Sequence, residues 1–114
     1  MNPVQVNTRM IDGASVIRLK GTIDGSSAPV AQAAIVPLLA PGCRLVLDLS
    51  GVDFMSSAGL RLMLLIFRQV SAAGGKVAMM GLSEEIRDTM SLTGFLDFFT
   101  TADSVDDALL AVAA

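Results

Sequence analysis

The chain has 114 residues, 53% hydrophobic and 17% charged, with a net charge of −3 from 8 Lys+Arg against 11 Asp+Glu. That suits one domain with a true core, excludes a disordered chain and argues against a nucleic-acid binder, whose affinity rests on neutralising phosphates. Histidine is absent and cysteine occurs once, as Cys43, so the commonest general base and metal ligand are missing and an internal disulfide is excluded.

No basic start followed by an apolar stretch marks a leader. The longest strong apolar run, Leu62 to Phe67, is far short of the ~20 residues of a membrane span. A single cytoplasmic domain over 1–114, with no membrane insertion, is the expectation, and Cys43 reads as a small residue at the edge of the core.

Val4, Val6 and Thr8 alternate with Gln5 and Asn7, the period of a half-buried strand. Asp12-Gly13 signals a hairpin, and Ala14 to Lys20 alternates again, with Val16 and Arg18 on one side and Ile17 and Leu19 on the other. An antiparallel hairpin of 3–10 with 14–20 is predicted. Gly21 to Ser27 is rich in turn residues and reads as a loop, with Ser27 capping the next helix and Pro29 in its first turn. That helix should run to Leu39, with Pro37 awkward near its end and Pro41-Gly42 stopping the chain.

Leu45-Val46-Leu47 is a short apolar run ending at Asp48-Leu49-Ser50-Gly51, the pattern of a buried central strand. A helix over Phe54–Ala72 follows, closed by Gly74-Gly75, and then a strand over Lys76–Gly81. Ser83 caps a helix with Glu84 and Glu85 at its positive end; it stops near Thr93-Gly94. Phe98-Phe99-Thr100 reads as a short strand, and Ser104 to Asp107 opens a last helix over Val105–Val112. The order ββαβαβα(β)α predicts an α/β fold: a mixed, mostly parallel sheet of 4–5 strands with an N-terminal hairpin and about four α-helices.

In the central helix Leu60, Met63, Leu64, Phe67 and Ser71 share one face, which Leu62, Ile66 and Val70 widen. Arg61, Arg68, Gln69 and Leu65 share the other, so Leu65 is expected as surface that meets another protein. Either Ser56 or Ser57 can be the N-cap. Gly59 in the first turn costs about 1 kcal/mol against Ala. It either lets the turn pass close to a neighbouring segment or leaves the helix start open to an approaching group. A phosphate on a first-turn serine would add about −1.5 to −2 charges there.

No catalytic set is visible: no histidine, no acid pair at telling spacing, no Gly-x-x-x-x-Gly-Lys loop and no Gly-x-Ser-x-Gly elbow. Asp48 and Asp53 at the strand end read as solvated acids rather than metal ligands. The expectation is a protein that is not an enzyme and holds no cofactor or metal.

The segment LVLDLSGVDFMSSAGL, Leu45 to Leu60, resembles the core motif of the STAS domain family, the bacterial anti-sigma-factor antagonists. Gly21-Thr22-Ile23-Asp24 resembles that family's Gly-x-(Leu/Ile)-Asp loop, and the resemblance covers essentially the whole chain. It implies a STAS-like fold and a protein-binding module for partner switching in transcription regulation. Unphosphorylated, such a module sequesters an anti-sigma factor that is also a serine kinase of the GHKL type. Phosphorylated, it lets go, and a serine phosphatase restores it.

The family motif Asp-Ser-(Ser/Thr)-Gly-Leu puts the phosphate acceptor two residues before the glycine, which is Ser57 here. Ser56 stands where the family has an acid and is a rival acceptor; Ala58 stands where the family has a hydroxyl. Asp24 maps to an acid close to the acceptor, and on this resemblance Gly59 is expected to keep the approach to the Ser57 hydroxyl clear. The implied partner surface is Asp24, Gly25, Ser27, Ser56, Ser57, Ala58, Gly59, Leu60 and Arg61. The alternative is a STAS subunit of a membrane transport or signalling complex, used without phosphorylation; nucleotide binding is a lesser idea.

Overall fold

The Asp-Gly signal does what its chemistry requires. In the structure, a computed structural model that describes residues 4–113, β1 (Gln5–Ile11) and β2 (Ala14–Ile23) pair antiparallel from Gln5 opposite Lys20 to Ile11 opposite Ala14. Asp12 and Gly13 take φ of 52° and 81°, the left-handed pair that a two-residue hairpin turn needs. Position 3, where the first strand was expected to begin, lies outside the described residues.

Both central strands outrun their sequence signals. β2 continues through Gly21 and Thr22 to Ile23, where a loop was expected, and β3 spans Arg44–Met55 rather than stopping at Gly51. The two run parallel, with register shifts between Arg18 and Lys20 and between Gly21 and Thr22. The glycines and aspartates that read as breakers therefore sit at bulges, where the ladder absorbs an extra residue and continues. The Asp48 carboxylate holds the first irregularity, accepting the Ser50 N–H at 3.0 Å and its hydroxyl at 2.6 Å. The central helix α2 (Ser57–Ala72) consequently starts three residues later than expected, because Phe54 and Met55 are still strand.

The first helix α1 (Ala28–Ile35) gives way to a 3-10 turn at Val36–Leu38, since Pro37 has no N–H to continue it. β4 (Lys76–Met80) and α3 (Glu84–Leu92) follow the sequence signals, and the Ser83 hydroxyl accepts the Ile86 N–H as cap. The last strand β5 is Thr100–Ala102, two residues beyond its expected start. Phe98 ends a 3-10 turn instead, and Phe98 and Phe99 each place a ring 5.5 Å from that of Phe67. The final helix α4 covers Val105–Ala111, capped by the Ser104 hydroxyl on the Asp107 N–H.

The sheet order is β1-β2-β3-β4-β5, all parallel except β1. Ile17, Leu19, Leu45, Leu47 and Met79 face the main core with residues of α1, α2 and α3, including Ile35, Met63, Ile66 and Met90. Val16, Val46 and Ala78 face the other way and meet Ala108 and Val112 at α4. β3 is thus buried on both sides, which is why its sequence is a continuous apolar run. On α2 the buried stripe is Leu60, Leu62, Met63, Ile66 and Val70. Ser71, expected on that face, is exposed, and Leu65, expected at the surface, packs partly against the main core.

The second core is built of small residues, and Ala108 is fully buried in it. Ala108→Leu is expected to overpack the seam between α4 and the sheet and to cost roughly 1–3 kcal/mol. Urea unfolding would read this as a lower midpoint; an unchanged midpoint would mean that α4 can ride outward without loss.

Candidate functional site

The site forms where β2 and β3 end and α2 begins. Ser56 leaves β3 with an extended backbone, φ −80° and ψ 179°, and its N–H donates to the Ile23 carbonyl at 2.9 Å. Its hydroxyl accepts the Ala58 N–H at 3.2 Å, so Ser56 is the N-cap. Ser57 is then the first helical residue and is exposed, while Ser56 and Ala58 are half-buried. The first turn carries no acidic residue, and Arg61 is exposed one turn further on.

Gly59 is buried. A Cβ there would lie 2.5 Å from Met55 Cγ, 2.9 Å from the Ile23 carbonyl oxygen and 3.0 Å from Ile23 Cγ2. The glycine lets the first turn pass close to the ends of β2 and β3, rather than clearing a path for an incoming group. Leu60 and Ser27 are buried too. Of the residues expected to meet a partner, these three hold the surface from beneath; Gly25, Ser57 and Arg61 are the exposed ones.

The loop after β2 is organised by one carboxylate oxygen. Asp24 Oδ1 accepts the Ser26 hydroxyl at 2.7 Å, the Ser26 N–H at 2.9 Å and the Ser27 N–H at 3.1 Å. The Ser26 hydroxyl foremost, then these two backbone N–H groups, hold the half-buried Asp24 carboxyl below its ordinary range. The Ser27 hydroxyl does not cap α1 as expected. It accepts the Asp24 N–H at 2.9 Å and donates to the Thr22 carbonyl at 2.6 Å, tying the loop back to β2. The Ile23 carbonyl joins this loop to the helix start, since Asp24 follows it directly and Ser56 bonds to it. Ile23 itself was not singled out from the sequence; the only signal was its place in the Gly-Thr-Ile-Asp stretch.

The two acids of β3 divide between core and surface. Asp48 is buried and engaged with Ser50, and Asp53 is exposed at the end of β3. Among the described residues no group of three or more His, Cys, Asp or Glu could hold a metal ion. Burial pushes the Cys43 thiol up, away from the reactive thiolate.

Gly59→Ala gains helix propensity but forces a methyl against a backbone carbonyl, and is expected to destabilise by about 1–2 kcal/mol net. A denaturation midpoint at or above that of the natural chain would contradict the close packing. For Asp24 the folded carboxyl titrates below the ordinary value of 3.8. Its contribution to loop order is therefore present above that value and is lost as pH falls through the lowered folded value. The Ser26 and Ser27 amide resonances, followed by NMR against pH, should share one midpoint below 3.8.

Residues 5–108 match the STAS domain family. BtrV of Bordetella bronchiseptica is 33% identical over 102 residues, covering 89% of this chain and 88% of that protein. The anti-sigma-B factor antagonist of Bacillus subtilis is 31% identical over 94 residues, covering 82% of this chain and 86% of that protein. An anti-sigma factor antagonist from Mycobacterium paratuberculosis superposes with a TM-score of 0.85 at 31% identity, covering 96% of this chain and 93% of that one. The family match over residues 5–108, the two relatives above 30% identity and the superposed fold show that the chain belongs to the STAS domain family.

Proposed function

We propose that the chain is an anti-sigma factor antagonist, a binding module rather than an enzyme, switched by phosphorylation of Ser57. The observation that carries this reading is the division of labour between the two serines. Ser56 has its hydroxyl committed to the helix cap, which leaves the exposed Ser57 as the hydroxyl on offer beside the Asp24 loop. Phosphorylating Ser56 instead would disrupt a cap worth about 1 kcal/mol. The names of the two relatives from Bacillus and Mycobacterium support the antagonist role alone.

The partner is an anti-sigma factor that doubles as a serine kinase of the GHKL type, and a serine phosphatase reverses the mark. Unphosphorylated, the helix start and the Asp24 loop offer a surface with no acid in the first helical turn. A phosphate on Ser57 places about −1.5 to −2 charges on that surface. Burying it against a partner beside the Asp24 carboxylate costs desolvation and like-charge repulsion, and the added bulk blocks close approach. Taking a complex from nearly all bound to nearly all free needs ~5.5 kcal/mol of differential binding. Among the described residues, no helix is long and apolar enough to cross a membrane.

The test is a paired capture from a lysate of the source cell with the natural chain and Ser57→Asp as baits, read by mass spectrometry. A kinase-like ATPase should be held by the natural chain and bound at least ~100-fold more weakly by Ser57→Asp, the several kcal/mol that like-charge juxtaposition costs. Ser57→Ala should keep it. Equal retention on both baits, or a membrane transport assembly on both, would replace the switch with a constitutive subunit.

A further inference from the structure

A small cleft of about 60 Å³ opens beside the first turn of α2, between the end of β3 and α3. The buried Met55, Leu60 and Ile86 line it on the core side, and the exposed Phe54, Asp53, Glu85 and Thr89 line it toward solvent. Phe54 is 55% exposed, although both Val52 and Met55 near it in the strand are buried. Arg61 and Arg87, the cations nearest in sequence on α2 and α3, are not among its lining residues.

We propose that this cleft receives an arginine side chain of the partner protein. An apolar floor, an exposed aromatic face and two carboxylates together match one side-chain chemistry. The aliphatic stem of an arginine covers Leu60 and Ile86, its planar guanidinium lies against Phe54, and its N–H fork donates to Asp53 and Glu85. Lysine is the poorer fit, because its compact ammonium is more strongly hydrated and has no plane to stack. The volume is well below the ~150 Å³ of an engineered cavity that holds benzene, so the cleft takes one side chain laid along it rather than a small molecule. The acidic rim turns away phosphate and nucleotides.

The inference rests on the proposed function only in taking the partner to be the anti-sigma protein; the chemistry of the cleft stands without phosphorylation. It predicts that partner contact extends from the Asp24 loop and Ser57 across to α3, with Phe54 as an anchor on this side.

The test is an amide NMR titration of the purified chain with methylguanidinium, set against methylammonium at equal ionic strength in the millimolar range. Saturable shifts are expected at Phe54, Glu85, Ile86 and Thr89, with methylguanidinium at least threefold tighter. Phe54→Ala and Glu85→Gln should each weaken it about threefold, the scale of one exposed cation–π contact or one exposed ion pair. Absence of saturable shifts at these residues, equal binding of the two cations, or indifference to both variants would overturn the proposal. Because no step uses Ser57, cleft binding without a Ser57→Asp effect in the capture experiment would leave the cleft standing and remove the switch. The reverse pair of results would remove only the cleft.

Discussion

The carbonyl oxygen of Ile23 is the atom on which the site depends. It accepts the Ser56 N–H at 2.9 Å, and a Cβ added at Gly59 would lie 2.9 Å from it. A buried backbone acceptor must be paired, and a helix start must find partners for its free N–H groups. Here the end of one strand and the entry to a helix meet that demand together. Asp24 is the next residue after this carbonyl, so the loop it organises is set beside Ser56 and Ser57 by the same bond that starts the helix. The requirement propagates backward: β2 has to reach Ile23, and β3 has to reach Met55, for the two ends to meet.

That is why both strands pass through residues that look like stops. Gly21 with φ of 107° and Gly51 against the Lys20 side chain sit where register shifts let the parallel ladder continue. Bulges next to a functional site re-aim the chain without ending the pairing. The Asp48–Ser50 hydrogen bonds secure one of them within β3 itself.

What was legible in the sequence was local. The Asp12-Gly13 turn, the Leu45-Val46-Leu47 run and the caps at Ser83 and Ser104 carry their signals within a few residues, and each stands in the structure as read. What was not legible depended on a distant neighbour. Nothing near Thr22 says that Phe54 will lie beside it and extend the ladder. Ser71 and Leu65 were misplaced because the buried stripe of α2 is set by how the helix crosses the sheet, not by its own periodicity alone. For Gly59 the residues leave two readings and the resemblance favours a clear approach to Ser57; the closeness of Ile23 and Met55 overturns that choice. The Ser27 hydroxyl had a cap to make locally and a strand carbonyl to reach at a distance, and it took the latter.

Structural and exposed roles are divided among different residues at this site. Ile23, Ser27, Met55, Gly59 and Leu60 are buried and fix the shape; Gly25, Ser57 and Arg61 are exposed and add little to it. Asp24 stands between, with its Oδ1 spent on its own loop. A charge added at Ser57 therefore meets no core contact that it would have to break, and the cap below it is made by another side chain. On this arrangement a switch acts by changing what the surface presents, with the scaffold under it unmoved. In the proposed switch the energy that separates bound from free comes from desolvating the added charge beside Asp24 when the contact closes, rather than from unfolding any part of this chain.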